Sequence, residues 1–354
     1  MATHGLTEVD SIEIKVIVDN EVDPISPSNN PAVQYPGYMQ SVPLDSLPPD
    51  DTRRGAVAEL KMGNICCGAH GLSLMMTAKQ GDTSHTMLFD TGPEESTWER
   101  NATRLRVNVA AIEHIHLSHW HRDHSGGMLE AIRMINASKI ERGHTLGSSS
   151  STRPPKVVVD LHPDRPNYRG MMTPAGTIVS LEADPEFDEI EEAGGALSKQ
   201  GEVHPVLDGF FLVSGSIPRV TPYELGIRGG MRFSEANSQW TSDEAIADER
   251  MVMCNLKGKG LVVFTGCSHA GVVNVSKHAV ELGEGVPLYG VVGGFHLSDN
   301  HPEKLANSLA DLKSLGPKVL MPGHCTGWKF KFLIEQSMPG VLAPSFCGST
   351  YSLA

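Results

Sequence analysis

The chain has 354 residues, of which 40% are hydrophobic and 20% are charged, and its formal net charge is −13. These proportions are typical of a soluble globular protein, and a chain of this length can bury a large core without disulfides. The negative charge argues against a nucleic-acid partner, because nucleic-acid-binding proteins usually present a basic surface to phosphates. No apolar run approaches the length that spans a bilayer, so we expect no membrane partner.

The cysteines and the N-terminus predict a cytoplasmic protein. The N-terminal segment lacks a basic start followed by an apolar stretch, so it does not resemble a secretion signal. No two cysteines form a CxxC pair, and their spacing is too sparse for a disulfide framework, which favours reduced thiols. The six are Cys66, Cys67, Cys254, Cys267, Cys325 and Cys347.

The chain begins with a predicted strand and continues into a proline-rich segment. Residues 11–20 alternate apolar and polar side chains, as a half-buried strand does. Residues 21–58 are rich in proline, which removes backbone donors and fixes φ. We therefore expect 21–58 to be an irregular insert or a lid, outside the core.

Strand-like and helix-like patterns then alternate, which favours one layered α/β domain over residues 1–354. The residues of 143–156 include a run of serines and read as a flexible surface loop. The helix-like patterns cover 126–135, 272–282 and 301–315. The strand-like runs cover 71–78, 85–92, 112–119, 156–163, 209–217, 260–269, 289–297 and 318–325.

Several of these strands end in a small polar loop that carries a side chain able to bind metal. Loops held by a rigid sheet commonly carry the chemistry of an enzyme, so the loops are expected to converge at one edge. The side chains are Asp90, His119, Cys267, His269, His296 and His324.

The segment "HLSHWHRDHSGG" contains the strongest functional pattern. In an extended segment, residues i and i+2 point the same way, so His119 and His121 can present two imidazoles to one metal ion. Asp123 and His124 follow where the chain turns into a helix, and they can face a second ion. Imidazole and carboxylate ligands suit zinc, with iron or manganese as alternatives. His114 and His116 are read as ordinary strand residues.

This segment resembles the HxHxDH signature of the metallo-β-lactamase superfamily, and "LFDTG" (88–92) and "MPGH" (321–324) resemble its first and last motifs. More narrowly, "TGCSHAGVVN" (265–274), "VVGGFHL" (291–297) and "PGHCTGW" (322–328) resemble the dihydropterin-methyl-ribofuranosylaminobenzene phosphate synthase group. The resemblance implies an αββα sandwich of two mixed sheets flanked by helices, with a two-metal site at one edge.

The resemblance also implies roles for individual residues. His324 fits the final ligand position, and His269 is a further candidate ligand. Cys267 stands where the superfamily usually has a bridging aspartate, and it is either a thiolate ligand or a small buried residue. Asp90 is expected to orient a metal ligand.

Five other residues keep two readings each. His296 is either a ligand or a substrate contact. His162 and His204 are each either a substrate contact or an ordinary histidine. Arg169 and Arg219 either bind an anionic group of the substrate or are exposed surface arginines.

Together these features predict a binuclear, metal-dependent hydrolase of a small ester, lactone or phosphate compound. A substrate that carries an anionic group is one option. A metal-bound hydroxide would be the nucleophile, and Asp123 would orient it and take up a proton. Two alternatives stay open. One is a transferase that joins a pterin-methyl diphosphate to an aromatic amine, as the closer resemblance implies. The other is a metal-binding or redox protein that does not hydrolyse a substrate.

Overall fold

The computed structural model describes residues 4–33, 35, 37–49, 53, 55–145, 155–299 and 301–354. The strands of this part of the chain follow in chain order. They are β1 (Glu8–Val9), β2 (Ser11–Val18), β3 (Asp45–Ser46), β4 (Ala58–Glu59), β5 (Ser73–Gln80), β6 (Thr83–Phe89), β7 (His114–His116), β8 (Val158–Leu161), β9 (Tyr168–Met172), β10 (Ile178–Ser180), β11 (Ala196–Lys199), β12 (Val203–Val206), β13 (Phe211–Ser214), β14 (Gly230–Ser234), β15 (Gln239–Ser242), β16 (Val252–Leu256), β17 (Gly260–Thr265), β18 (Leu288–Gly294), β19 (Val319–Gly323) and β20 (Thr350–Leu353).

The helices lie mostly between these strands. They are α1 (Glu95–Arg104), α2 (Arg122–Ser125), α3 (Met128–Thr145), α4 (Phe187–Glu192), α5 (Val272–Leu282), α6 (Pro302–Leu315) and α7 (Trp328–Ser337). The predicted helices at 126–135, 272–282 and 301–315 correspond to α3, α5 and α6. In the part of the chain that the structure describes, no helix is both long and apolar enough to cross a bilayer.

Two large mixed sheets form the centre of the fold. The first sheet has the order β11-β8-β7-β6-β5-β2-β20, in which β11, β8, β7 and β6 are parallel and the remaining neighbours antiparallel. The second sheet has the order β12-β13-β16-β17-β18-β19, in which β17, β18 and β19 are parallel. A smaller sheet, β10-β9-β14-β15, is antiparallel throughout.

Three apolar clusters show that the chain is layered helix–sheet–sheet–helix. One cluster joins the two large sheets and includes Ile14, Phe89 and Phe264. A second packs α1 and α3 on the first sheet, with Trp98 and Ile132 among its residues. A third packs the helices α5 to α7 on the second sheet. The predicted αββα sandwich is therefore confirmed.

The proline-rich segment is partly core, which the sequence did not predict. Val33 and Tyr35 are buried in the cluster between the sheets, and the Tyr35 ring lies 4.9 Å from that of Tyr351. Asn30 Nδ2 donates to the carbonyls of Lys318 and Val341. Apolar side chains between the prolines thus find partners distant in sequence, so the expectation that all of 21–58 lies outside the core is wrong.

The predicted loop at 143–156 begins later than expected. Helix α3 continues to Thr145, which includes the first residues of the predicted loop in the helix. Residues 146–154 lie outside the described part of the chain, so the flexible loop there stays a prediction.

Candidate metal centre

The parallel strands of both sheets deliver their following loops to one edge. Strands β6 and β7 end just before Asp90 and the segment 117–124, and β17, β18 and β19 end just before Cys267, His296 and His324. Parallel neighbours end on the same side, so the side chains after them can meet there. Non-glycine residues with positive φ gather in these loops, namely Asp90, Ser268, His296 and His324. Such backbone is unfavourable for these residues and persists where the surroundings hold it.

Three imidazoles form the first group of ligand-type atoms, which we call the three-histidine group: His119, His121 and His269. His119 Nε2 lies 2.9 Å from His121 Nδ1, and His269 Nε2 lies 3.1 Å and 3.2 Å from these two atoms. Burial lowers the pKa of His121 to about 3 and also lowers the pKa values of His119 and His269. The rings are therefore neutral at pH 7 and offer lone pairs.

A second group, which we call the Asp123 group, contains Asp123, His124, Cys267 and His324. Asp123 Oδ2 lies 3.2 Å from His324 Nε2 and 3.8 Å from His124 Nε2, and the latter lies 3.2 Å from Cys267 Sγ. Burial alone would lower the pKa of His124, but the carboxylates of Asp123 and Asp90 raise it to about 9. This cluster therefore favours a positive charge at its centre.

Both groups fit a divalent cation. In the three-histidine group, three neutral nitrogens converge at 2.9–3.2 Å, although three imidazoles cannot all donate protons to one another. A cation at the centre of such a group would accept the lone pairs. Imidazole, carboxylate and thiolate are the donor set that zinc binds in proteins, and iron also accepts it.

Asp90 orients one histidine of each group. Its Oδ2 accepts from His124 Nδ1 at 2.7 Å and from Ser118 Oγ at 2.8 Å. Ser118 Oγ in turn accepts from His119 Nδ1 at 2.9 Å. These bonds place protons on the Nδ1 atoms, so that both Nε2 atoms face the groups. The structure thus places Asp90 beside two of the predicted ligands, and its orienting role stays a prediction.

His324 has a similar support that the sequence did not indicate. Its Nδ1 lies 3.0 Å from Asn20 Oδ1, and its backbone N–H donates to Asp19 Oδ1 at 2.9 Å. Asn20 Nδ2 also donates to His70 Nδ1 at 3.1 Å, and His70 Nε2 is 3.5 Å from Asp123 Oδ2. Asp19 and Asn20 follow β2, so an N-terminal strand and the last predicted ligand meet across almost the whole sequence.

A short segment after β15 holds two of the histidine loops in place. Asp248 Oδ2 accepts from the backbone N–H of Trp120, between His119 and His121. Glu249 accepts from the backbone N–H groups of His269 and Ala270 at 2.8 and 2.7 Å. Sequence reasoning missed both residues, because a lone Asp–Glu pair has no spacing that predicts a partner.

One cleft of about 800 Å³ gives access to both groups. His121 and His269 line it from the first group, and Asp123, Cys267 and His324 line it from the second. The size is within the range of about 300–1,000 Å³ that is usual for small-molecule sites. No described residue of 21–58 lines this cleft, so the alternative in which that segment is a lid gains no support.

The residues with two readings lie at different distances from the groups. Cys267 is a buried member of the Asp123 group, where burial raises the pKa of its thiol, so both of its readings stay open. The His296 ring lies 4.7 Å from that of His269 and lines the cleft outside both groups. His162 does not line the cleft; its carbonyl accepts from the Trp120 indole at 2.9 Å. The assignment of ligands stays a prediction.

The two arginines are fixed by other partners. Arg169 is buried, and it contacts the carboxylates of Asp243 and Asp248 and the Trp120 carbonyl. The reading of Arg169 as an exposed surface residue is therefore wrong, and its charge is already balanced. Arg219 is exposed and donates to the carbonyls of His269 and Ala245, outside the lining of the cleft.

Three further histidines form a separate cluster around Asp160, which we call the Asp160 cluster. Asp160 Oδ2 lies 2.6 Å from His204 Nε2 and 3.8 Å from His114 Nε2, and Oδ1 lies 2.6 Å from Arg250 Nη1 and 3.6 Å from His116 Nδ1. His114 and His116 belong to β7, as expected for strand residues. They contribute to neither group of ligand-type atoms.

Comparisons with known proteins give the same fold. A solved structure of a metal-dependent hydrolase of the β-lactamase superfamily superposes with a TM-score of 0.62, covering 96% of this chain and 98% of that one, at 19% identity. No protein-family model matches the chain. The chain therefore has the metallo-β-lactamase fold, and the resemblance to that superfamily is confirmed.

Two curated relatives come from Methanocaldococcus jannaschii. One is 7,8-dihydropterin-6-methyl-4-(β-D-ribofuranosyl)-aminobenzene-5′-phosphate synthase, which is 26% identical over 73% of this chain and 82% of its own length. The other is an uncharacterised protein, which is 29% identical over 73% of this chain and 85% of its own length. The predicted resemblance to the synthase group is thus confirmed as well.

Proposed function

We propose that the protein is a metal-dependent hydrolase of a small ester, lactone or phosphate compound. One observation carries the proposal: two groups of mostly buried ligand-type side chains lie side by side and open into the same small-molecule cleft. Bound divalent cations would lower the pKa of water and polarise a substrate oxygen. The fold similarity to a metal-dependent hydrolase supports this proposal.

We assign the predicted ligands to two cation sites. His119, His121 and His269 would hold one cation, and the Asp123 group would hold the second. The buried Asp90 holds the His124 imidazole directly and the His119 imidazole through Ser118, so that both rings are oriented before a substrate binds.

Proton transfer is assigned to Asp123. In ester hydrolysis the water oxygen bonds to the carbonyl carbon, the ester C–O bond breaks, and a proton from the water reaches the departing alkoxide. The Asp123 carboxylate lines the cleft, and it can accept that proton and return it to the leaving oxygen. The products are an acid and an alcohol.

The proposal is tested by assaying metal-loaded protein on chromogenic esters, lactones and phosphodiesters, with and without a chelator. We expect turnover on at least one class, loss with the chelator, and recovery when zinc is restored. The Asp123→Asn variant should lose activity by at least about 100-fold, the lower range of a proton-transfer contribution. Absence of turnover in protein shown by elemental analysis to carry metal would contradict a hydrolase.

The relative's name supports a second candidate, a transferase of a pterin-methyl group to an aromatic amine with loss of diphosphate. In that case diphosphate, and not water, would be engaged by the two groups. Tight binding of inorganic diphosphate or of a pterin, together with the absence of hydrolysis of all three substrate classes, would favour this candidate.

A further inference from the structure

The cleft has a second kind of lining that the ligand-type groups do not explain. The small sheet and the loops after it contribute apolar side chains that are separate from both large sheets. These residues are Met171, Leu181, Ile227, Met231 and Ile246. Apolar lining of this extent is the usual source of affinity in small-molecule sites, while a few polar groups fix orientation.

The strand geometry at Met171 shows how this lining is presented. Met171 in β9 pairs directly with Gly230 in β14, so the position opposite the methionine has no side chain. A Cβ at Gly230 would lie 2.8 Å from the Asp243 carbonyl, so the strand requires glycine there. Met172, the next residue of β9, is exposed and does not line the cleft.

The positively charged side chains that line the cleft already have partners, so they offer little attraction to an anionic group distant from the metal groups. Arg122 is paired with Glu182 at 3.2 Å and donates to the Ala183 carbonyl. Arg169 is buried between two carboxylates. The described part of the lining contains no further arginine or lysine, whereas it contains Glu94 and Glu182. Arg228 follows Ile227 but is exposed and is not part of the lining.

We propose that the substrate is an ester or lactone with a hydrophobic acyl body and no phosphate, and that this body packs on Met171, Leu181 and Ile227. The inference rests on the proposed hydrolase and narrows its substrate class. A phosphate distant from the metal groups would be desolvated without a free cation, which is costly. An alkyl or aryl body replaces water at the apolar lining, which is favourable.

The test uses p-nitrophenyl acetate, butyrate and octanoate with the metal-loaded full chain. Each buried methylene contributes about 0.8 kcal/mol, which corresponds to roughly a four-fold rise in kcat/KM until the cleft is filled. The octanoate-to-acetate ratio of kcat/KM should fall about ten-fold in Met171→Ser, because the octanoyl chain loses its apolar contact with the methionine side chain. Leu181→Ser, at a more exposed position, should lower the ratio in the same direction.

Met172→Ser is the matched control. It makes the same substitution one residue along β9, at an exposed position that does not line the cleft, and should keep the wild-type ratio. Two results would overturn the inference while leaving the hydrolase intact. One is a wild-type kcat/KM that does not change with the length of the acyl chain. The other is an octanoate-to-acetate ratio that falls equally in Met171→Ser and Met172→Ser.

Calorimetry separates the inference from the proposed function. Binding of octanoate, acetate and octyl phosphate is measured on the metal-loaded wild type and on Met171→Ser. If no ester is hydrolysed but octanoate binds more tightly than acetate and Met171→Ser removes the difference, the hydrolase fails and the apolar subsite stands. If octyl phosphate binds at least ten-fold more tightly than octanoate, and still does so after the metal is removed, the cleft accepts a phosphate and this part of the inference is wrong.

Discussion

The three-histidine group and the Asp160 cluster both take histidines from residues 114–121, but the charges around the two sets differ. The three-histidine group turns nitrogen atoms toward one another and contains no carboxylate of its own. The Asp160 cluster places its imidazoles around a buried carboxylate that already has Arg250 as a partner. The carboxylate of the Asp160 cluster thus already has a cation beside it, whereas three neutral nitrogens converge on one point in the three-histidine group. Of the two sets, we therefore expect only the three-histidine group to bind a metal ion.

The pKa of Asp160 shows how its carboxylate is stabilised. Burial raises the pKa of Asp160, yet the neighbouring His116, His204 and Arg250 bring it well below its ordinary value. The Asp160 cluster is therefore an internal ion pair with associated imidazoles. Histidine content alone does not distinguish a structural cluster from a candidate metal site; here the distinguishing feature is that the Asp160 carboxylate already has the Arg250 guanidinium as its counter-charge.

A pair of alanine variants gives the strongest test of the difference between the three-histidine group and the Asp160 cluster. His121→Ala removes one of three converging nitrogens, and we expect loss of metal from the three-histidine group and a fall in turnover of at least about a thousand-fold, given how far bound metal lowers the pKa of water. His114→Ala should keep both, because His114 touches Asp160 and neither ligand-type group. Elemental analysis and steady-state assays measure the two quantities, and equal metal loss in the two variants would show that the sets are not separate.

The Asp160 cluster is tested through stability. Asp160→Asn leaves the buried Arg250 guanidinium without its counter-charge, so the free energy of unfolding should fall by about 3–5 kcal/mol in urea titrations. The control is Asp164→Asn, which breaks the exposed pair with Arg232 and should cost at most about 1 kcal/mol. If Asp160→Asn released metal from protein that remains fully folded, the cluster would belong to the site.

A smaller effect is expected in the pH dependence of stability. Burial lowers the pKa of His114 from 6.5 to about 4 in the folded protein. The unfolded chain therefore binds more protons between about pH 4 and 6.5, and stability falls as the pH falls through this window. One pKa unit corresponds to about 1.36 kcal/mol, so His114 contributes a loss of up to about 3 kcal/mol. Urea titrations of metal-free wild type and His114→Ala should diverge in slope across this window, and parallel curves would contradict the shift.

The local pattern of the sequence was enough to predict the HxHxDH segment and the layered fold. Spacing of two residues brings His119 and His121 together, and the same alternation reveals strands such as β2. Because glycine-rich or polar loops follow β17, β18 and β19, the edge that would carry the site was also predictable. These features depend on neighbours within a few residues, so the sequence displays them directly.

Contacts between distant segments were not predictable in the same way. Glu249 holds the His269 loop, and Asn20 holds His324 from 304 residues away. Nothing near either residue indicates its partner, since a single polar side chain fits many environments. The reading of Arg169 as a surface residue was wrong for the same reason, because its two carboxylate partners come from a later segment.

By itself, the sequence determined a layered α/β fold and the segments that supply ligand-type side chains, because periodicity and short spacings act within single elements. The αββα order followed from the resemblance to the metallo-β-lactamase superfamily. Only the tertiary structure decided which histidines converge, that Cys267 joins the Asp123 group, and that an apolar small sheet lines the cleft. Those outcomes depend on how separate strands are ordered and paired, and the distances between side chains follow from that order.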